Sequence, residues 1–157
     1  MELITLAKAI EEAGKRDPSR GFTFLSEDGV PGFPGTENAR ETFFSFATIE
    51  RRTASFGGAL QSLGLKKGDR VALILPQNED FVIAFLGAIR AGIIPAPIYP
   101  PLGLGQLHGY LENTRHIVAK SGARVLITSK QIKALLGTVQ EGCPALEKLV
   151  AIDDVRD

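Results

Sequence analysis

The chain has 157 residues, 18 Lys+Arg against 18 Asp+Glu, and hence no formal net charge, with a pI near 6.7. That balance excludes the basic surface that holds nucleic acid or anionic membranes, and 44% hydrophobic against 23% charged residues excludes a disordered chain. One cysteine, Cys143, excludes a disulfide-stapled secreted scaffold and suits a reducing, cytoplasmic compartment.

The first residues, Met1-Glu2-Leu3-Ile4, lack a basic n-region, so no signal peptide is read. Leu3, Leu6, Ala7, Ile10 and Ala13 fall at helical spacing, predicting a helix that stops at Gly14. Phe22 to Leu25 alternates as a short strand. Ser26 to Arg40, with Asp28-Gly29, Pro31-Gly32 and Pro34-Gly35, reads as a surface loop. Phe43 to Phe46 is a second strand, pairing with the first as a ribbon.

A helix follows from about Thr48 to Leu63, its stripe being Ile49, Thr53, Phe56, Leu60 and Leu63, with Gly64 at the left-handed position after it. Lys66 to Asp69 turns into Arg70–Leu75, an apolar run ended by Pro76, as expected of a strand covered on both faces. Asn78 is placed to cap a helix whose second half, Phe81 to Ala91, is apolar nearly all round. Phe81 to Tyr99 carries the single charge Arg90, but Gly92, Pro95 and Pro97 would break a spanning helix, so no membrane span is read. Ile93–Ile98, with two prolines, reads as an edge strand or an irregular crossing.

Gln106 to Ser121 predicts a helix burying Leu107, Leu111, Thr114 and Val118, ended by Gly122. Arg124–Thr128 is a strand, Lys130–Val139 a helix, and Leu149–Ile152 a last strand. The alternation predicts an α/β fold: a doubly wound, mainly parallel sheet flanked by helices, with a small N-terminal antiparallel strand pair. There is no internal repeat and no interdomain linker, so residues 1–157 read as one domain with no second.

Ligands of parallel α/β sheets sit beyond the carboxyl ends of the strands, which directs attention to the loops after Leu75, Ile98 and Thr128. The stretch Tyr99 to Gly109 carries glycines as G-x-G-x-x-x-G, with His108 where a dinucleotide fingerprint needs glycine. Pro100 and Pro101 stiffen it, so it reads as a rigid connection. No G-x-x-x-x-G-K-[ST] or G-x-S-x-G occurs. His108 and His116, eight apart, lie off the apolar stripe with no ligand set beside them. Cys143 reads as an incidental thiol, and Asp153-Asp154 as a solvated turn rather than a Mg²⁺ site. By its residues alone the chain has no catalytic centre, which leaves a free-standing small-molecule-binding or interaction module as one reading.

Four pieces in order carry a resemblance. They are Phe46-Ala47-Thr48-Ile49; Leu63-Gly64-Leu65-Lys66-Lys67-Gly68-Asp69-Arg70-Val71-Ala72; Pro76-Gln77-Asn78-Glu79-Asp80-Phe81 running on to Ala88; and Ala91-Gly92-Ile93-Ile94-Pro95-Ala96-Pro97. Together they resemble the opening of the adenylate-forming superfamily of acyl-CoA synthetases, adenylation domains and fatty acyl-AMP ligases. Pro97-Ile98-Tyr99-Pro100-Pro101 and the run from Tyr110 to Thr128 are most similar to the fatty acyl-AMP ligase branch.

The resemblance implies the N-terminal part of an AMP-binding (adenylation) domain, incomplete within residues 1–157. It implies a parent enzyme that activates a fatty acid with ATP and Mg²⁺ to an acyl-adenylate and passes the acyl group to the phosphopantetheine of an acyl carrier protein, for polyketide or lipopeptide synthesis. The phosphate loop, adenine segment, ribose aspartate and lid lysine of relatives have no counterpart between Met1 and Asp157. No catalytic, metal or cofactor residue is therefore carried over, and the chain alone is expected to be inactive and to bind neither ATP nor Mg²⁺. Tyr99, Pro100 and Pro101 are the candidate substrate-binding wall. The remainder of the adenylation domain is the expected partner, and a sheet lacking it is expected to self-associate or to be marginally stable.

Overall fold

The computed structural model describes residues 4–27, 39–101 and 106–156. Helix α1 (Leu6–Arg16) is capped by Thr5, whose Oγ1 accepts from Lys8 N at 3.2 Å. The expected stop at Gly14 is corrected: the helix runs two residues further. Gly14 serves instead as a contact point, since a Cβ there would lie 2.9 Å from the Cβ of Glu50. Strands β1 (Gly21–Glu27) and β2 (Ala39–Ser45) pair antiparallel with Phe22 opposite Phe44. Both are longer than expected at the ends facing the connecting segment; the glycine and proline pairs between Asp28 and Gly35 lie outside the described residues. Phe46 is not part of β2 but opens α2 (Phe46–Ser62), because the Ser45 hydroxyl accepts from Thr48 N and starts a helix there.

The ribbon folds Phe24 and Phe44 inward against Ile49 and Phe56 of α2. Gly64, at φ +97°, ends α2 as anticipated. Strands β3 (Arg70–Ile74), β4 (Ile94–Pro97), β5 (Val125–Thr128) and β6 (Lys148–Ala151) form a parallel sheet in the order β4-β3-β5-β6. Proline-bearing β4 takes the edge, where missing donors cost no ladder bond.

Alternation along β3 divides the core. Val71 and Leu73 face α1, α2 and α3 (Asn78–Arg90), while Ala72 and Ile74 face α4 (Leu107–Ser121) and α5 (Lys130–Leu135). Helices on both faces of a parallel sheet whose order reverses beside β3 make the fold doubly wound.

Two helix assignments need correction. Asn78 is not the cap of α3 but its first residue. Gln77 holds the cap position, and the Asn78 amide instead donates to Leu25 O in β1 at 3.2 Å. The helix expected to reach Val139 ends at Leu135; Gly137 follows, and Val139–Gly142 is a separate 3₁₀ turn. Ile152 likewise opens a 3₁₀ turn (Ile152–Asp154) rather than closing β6. Among the described residues no helix is long and apolar enough to cross a membrane.

Charged side chains tie the layers. Arg90 of α3, 12% exposed, donates to Glu50 O, to Thr53 Oγ1 at 2.9 Å and to Glu50 Oε1 at 2.9 Å, with Glu11 of α1 at 3.6 Å. At the amino end of the sheet Arg124 forks onto Glu147 at 2.7 and 2.9 Å and pairs with Asp69.

Candidate functional site

The parallel register that sets Leu73 beside Pro97 makes β3 and β4 leave the sheet at the same end. Ile98 N donates to Leu73 O at 2.9 Å, but Pro100 and Pro101 beyond it have no N–H to extend the ladder. On the β3 side Pro76 turns the chain, and α3 rises from Asn78. The two divergent exits leave a cleft of about 490 Å³ between them. Its floor is Leu75 and Ile98, both buried. Its walls are Pro76, Pro97, Pro100 and Pro101 on one hand and Asn78 and Phe81 of α3 on the other, with Tyr99 at the rim.

The sequence-derived trio is thus brought together: Pro101 buried, Pro100 partly buried, and Tyr99 84% exposed. Leu75, Pro76, Asn78, Phe81, Pro97 and Ile98 complete the lining. The loops after Leu75 and Ile98, singled out in the sequence, both border this cleft. That Phe81 reaches the same cleft depends on how α3 packs. The loop after Thr128 does not contribute: Thr128 Oγ1 donates to Ile74 O at 2.8 Å, and Ser129 caps α5.

Among the described residues no carboxylate, ammonium or imidazole lines this cleft; Asn78 and Tyr99 are the polar side chains of its lining. Such a surface can hold a hydrocarbon chain or an aromatic ring, and it offers nothing to activate a nucleophile or oppose a phosphate charge.

The other sequence candidates are dispersed. His108 and His116 are exposed on α4, with Glu112 3.5 Å from His108. Gly103 and Gly105 lie outside the described residues, and Gly109 is within α4. Cys143 is buried and its thiol donates to Arg115 O at 3.4 Å; burial pushes its pKa up despite the Arg115 charge. Asp153 does not fit a Mg²⁺ site, since Lys130 and Arg156 each lie 3.7 Å from its carboxylate. Among the described residues no group of three or more His, Cys, Asp or Glu gathers.

A second, polar cleft of about 450 Å³ lies between β2, α2 and the start of α3. There the Arg52 guanidinium stands 4.4 Å over the Phe44 ring, and Arg156 ion-pairs with Asp80, whose carboxyl burial pushes up.

The profile of the family described as "AMP-binding enzyme" matches residues 27–156. The chain belongs to this family. Among curated proteins, the 4-hydroxybenzoate–CoA/benzoate–CoA ligase of Rhodopseudomonas palustris is 31% identical over 110 residues, covering 70% of this chain and 19% of that protein. A long-chain-fatty-acid–AMP ligase of Mycolicibacterium smegmatis is 38% identical over 72 residues, 44% of this chain and 11% of its own length. A structure from a study of fatty acyl-adenylate ligases from E. coli and L. pneumophila superposes with a TM-score of 0.78 at 27% identity, over 95% of this chain and 25% of that one. The chain therefore spans 19% and 11% of the length of these two curated relatives.

Proposed function

We propose that this chain is the N-terminal part of the adenylation domain of a fatty acid-activating ligase, supplying scaffold and one wall of the acyl pocket. The observation that carries the reading is the family match over residues 27–156, within which all the residues of the cleft fall. The whole enzyme joins a fatty acid to the α-phosphate of ATP with Mg²⁺, releasing pyrophosphate, and hands the acyl group to the phosphopantetheine thiol of a carrier protein.

Two anionic reactants must meet in that step, so cations have to offset the charge of the transition state. The apolar cleft bounded by Tyr99, Pro100 and Pro101 cannot do that. It desolvates and orients the hydrocarbon end, and the charge-handling groups come from the remainder of the domain. The carrier protein, rather than coenzyme A, is favoured by the Pro97–Pro101 run, which is similar to that of fatty acyl-AMP ligases.

The test is to express the natural reading frame that contains these residues and supply lauric acid, ATP and Mg²⁺ with either carrier protein or coenzyme A. Pyrophosphate release with acyl transfer to the carrier supports the proposal; preferential formation of acyl-CoA overturns the choice of acceptor. No adenylate with any fatty acid overturns the reading as a whole.

A further inference from the structure

Among the described residues, most of the cleft's lining is rigid. Pro76, Pro97, Pro100 and Pro101 have no rotamer by which to move aside, and Leu75 and Ile98 are fixed in the core. Tyr99 is turned out to solvent. The one large side chain that closes the cleft from the helix side is Phe81, half-buried one turn into α3. Its ring is itself held: Phe85, one turn on, stacks on it with centroids 5.7 Å apart and planes 29° apart. An apolar ligand entering between the prolines therefore meets a fixed aromatic stop.

We infer that Phe81 is the specificity-determining residue of this cleft, setting how long an apolar chain it admits, and that Phe85 is a positioning residue that holds the Phe81 ring. The inference rests on the cleft being the acyl wall, and it adds which residue sizes the acyl group. Preorganisation of this kind favours one ligand length over its neighbours, because neither the walls nor the stop can rearrange cheaply.

The experiment is calorimetric titration of the protein expressed from the whole natural reading frame that contains these residues, with straight-chain carboxylates from hexanoate to tetradecanoate. In the wild-type chain affinity should rise about fourfold per methylene while each new group is buried, then stop rising where the chain end reaches Phe81. Phe81→Ala should move that break to longer chains by about two methylenes, the space left by the ring. Phe85→Leu should leave the break in place and blunt it, because a loosened ring yields to a longer chain.

Circular dichroism checks each variant; if Phe81→Ala does not fold, Phe81→Leu replaces it, with a smaller displacement expected. A break at the same length in wild type and Phe81 variants overturns the assignment of Phe81 while leaving the cleft as the acyl wall. A wild-type chain that binds no member of the series overturns the acyl-wall reading, and the assignment falls with it.

Discussion

Gly57 and Gly87 face each other where α2 crosses α3: a Cβ on Gly57 would stand 2.9 Å from the Gly87 carbonyl oxygen, and one on Gly87 2.9 Å from that of Thr53. The contact lets the backbones of α2 and α3 approach closely. Gly57→Ala should destabilise by about 1–3 kcal/mol, because the obstacle is backbone and cannot swing away. Its neighbour Gly58 has nothing within 4 Å, so Gly58→Ala should stabilise by about 0.5–1 kcal/mol through helix propensity alone. Urea unfolding of the two variants reads the contrast; shifts of the same sign would refute the close approach.

Arg90 draws three helices together through Glu50, Thr53 and Glu11. Arg90→Met keeps most of the apolar stem and removes every donor. It leaves the Glu50 carbonyl and the Thr53 hydroxyl without this partner, so a loss of about 2–3 kcal/mol is expected. A midpoint unchanged in urea would mean that packing alone holds these helices.

The carboxyl of Asp69 is held below its usual range by the Lys66 backbone N–H, and then by Arg124; that of Glu147 is held down by Arg124 first. Both are lower in the folded chain than in the unfolded one. Their contribution is therefore present above the ordinary carboxylate range and is lost as pH falls through the folded values, from about pH 5 downward. Arg124→Gln should flatten that decline, most through Glu147. Thermal midpoints between pH 7 and pH 3 in both proteins test it, and identical slopes would contradict it.

The outer face of the ribbon presents Leu25 and Phe43, 63% and 57% exposed, and edge strand β4 adds Ile94. Apolar surface of this kind should drive reversible self-association of the isolated chain, visible as a sedimentation coefficient that rises with concentration. Phe43→Ser combined with Leu25→Ser should restore a monomer; a wild-type chain monomeric at every concentration would show the face to be too small to matter.

Much of the fold was legible because its signals are local. Gly64, Gly92 and Gly122 each stand where a helix has run out of apolar spacing, and each has positive φ. The uninterrupted apolar run at Val71–Leu75 could only be a strand covered on both faces. Gly14 and Asn78 misled because the same residue types serve tertiary contacts: one is flat against Glu50, and the other reaches Leu25 O, 53 positions away. The site divided likewise. Tyr99–Pro101 could be read from prolines beyond a strand, whereas Phe81 joins them only through the parallel pairing of β3 with β4 and the packing of α3.

On the proposed function, these residues shape and desolvate a pocket while the charge-handling groups lie in the remainder of the domain. The most direct measurement is pyrophosphate release by the 157-residue chain alone with ATP, Mg²⁺ and lauric acid. Release no faster than in buffer is expected. Sustained turnover abolished by Phe81→Ala or by altering Tyr99–Pro101 would contradict it.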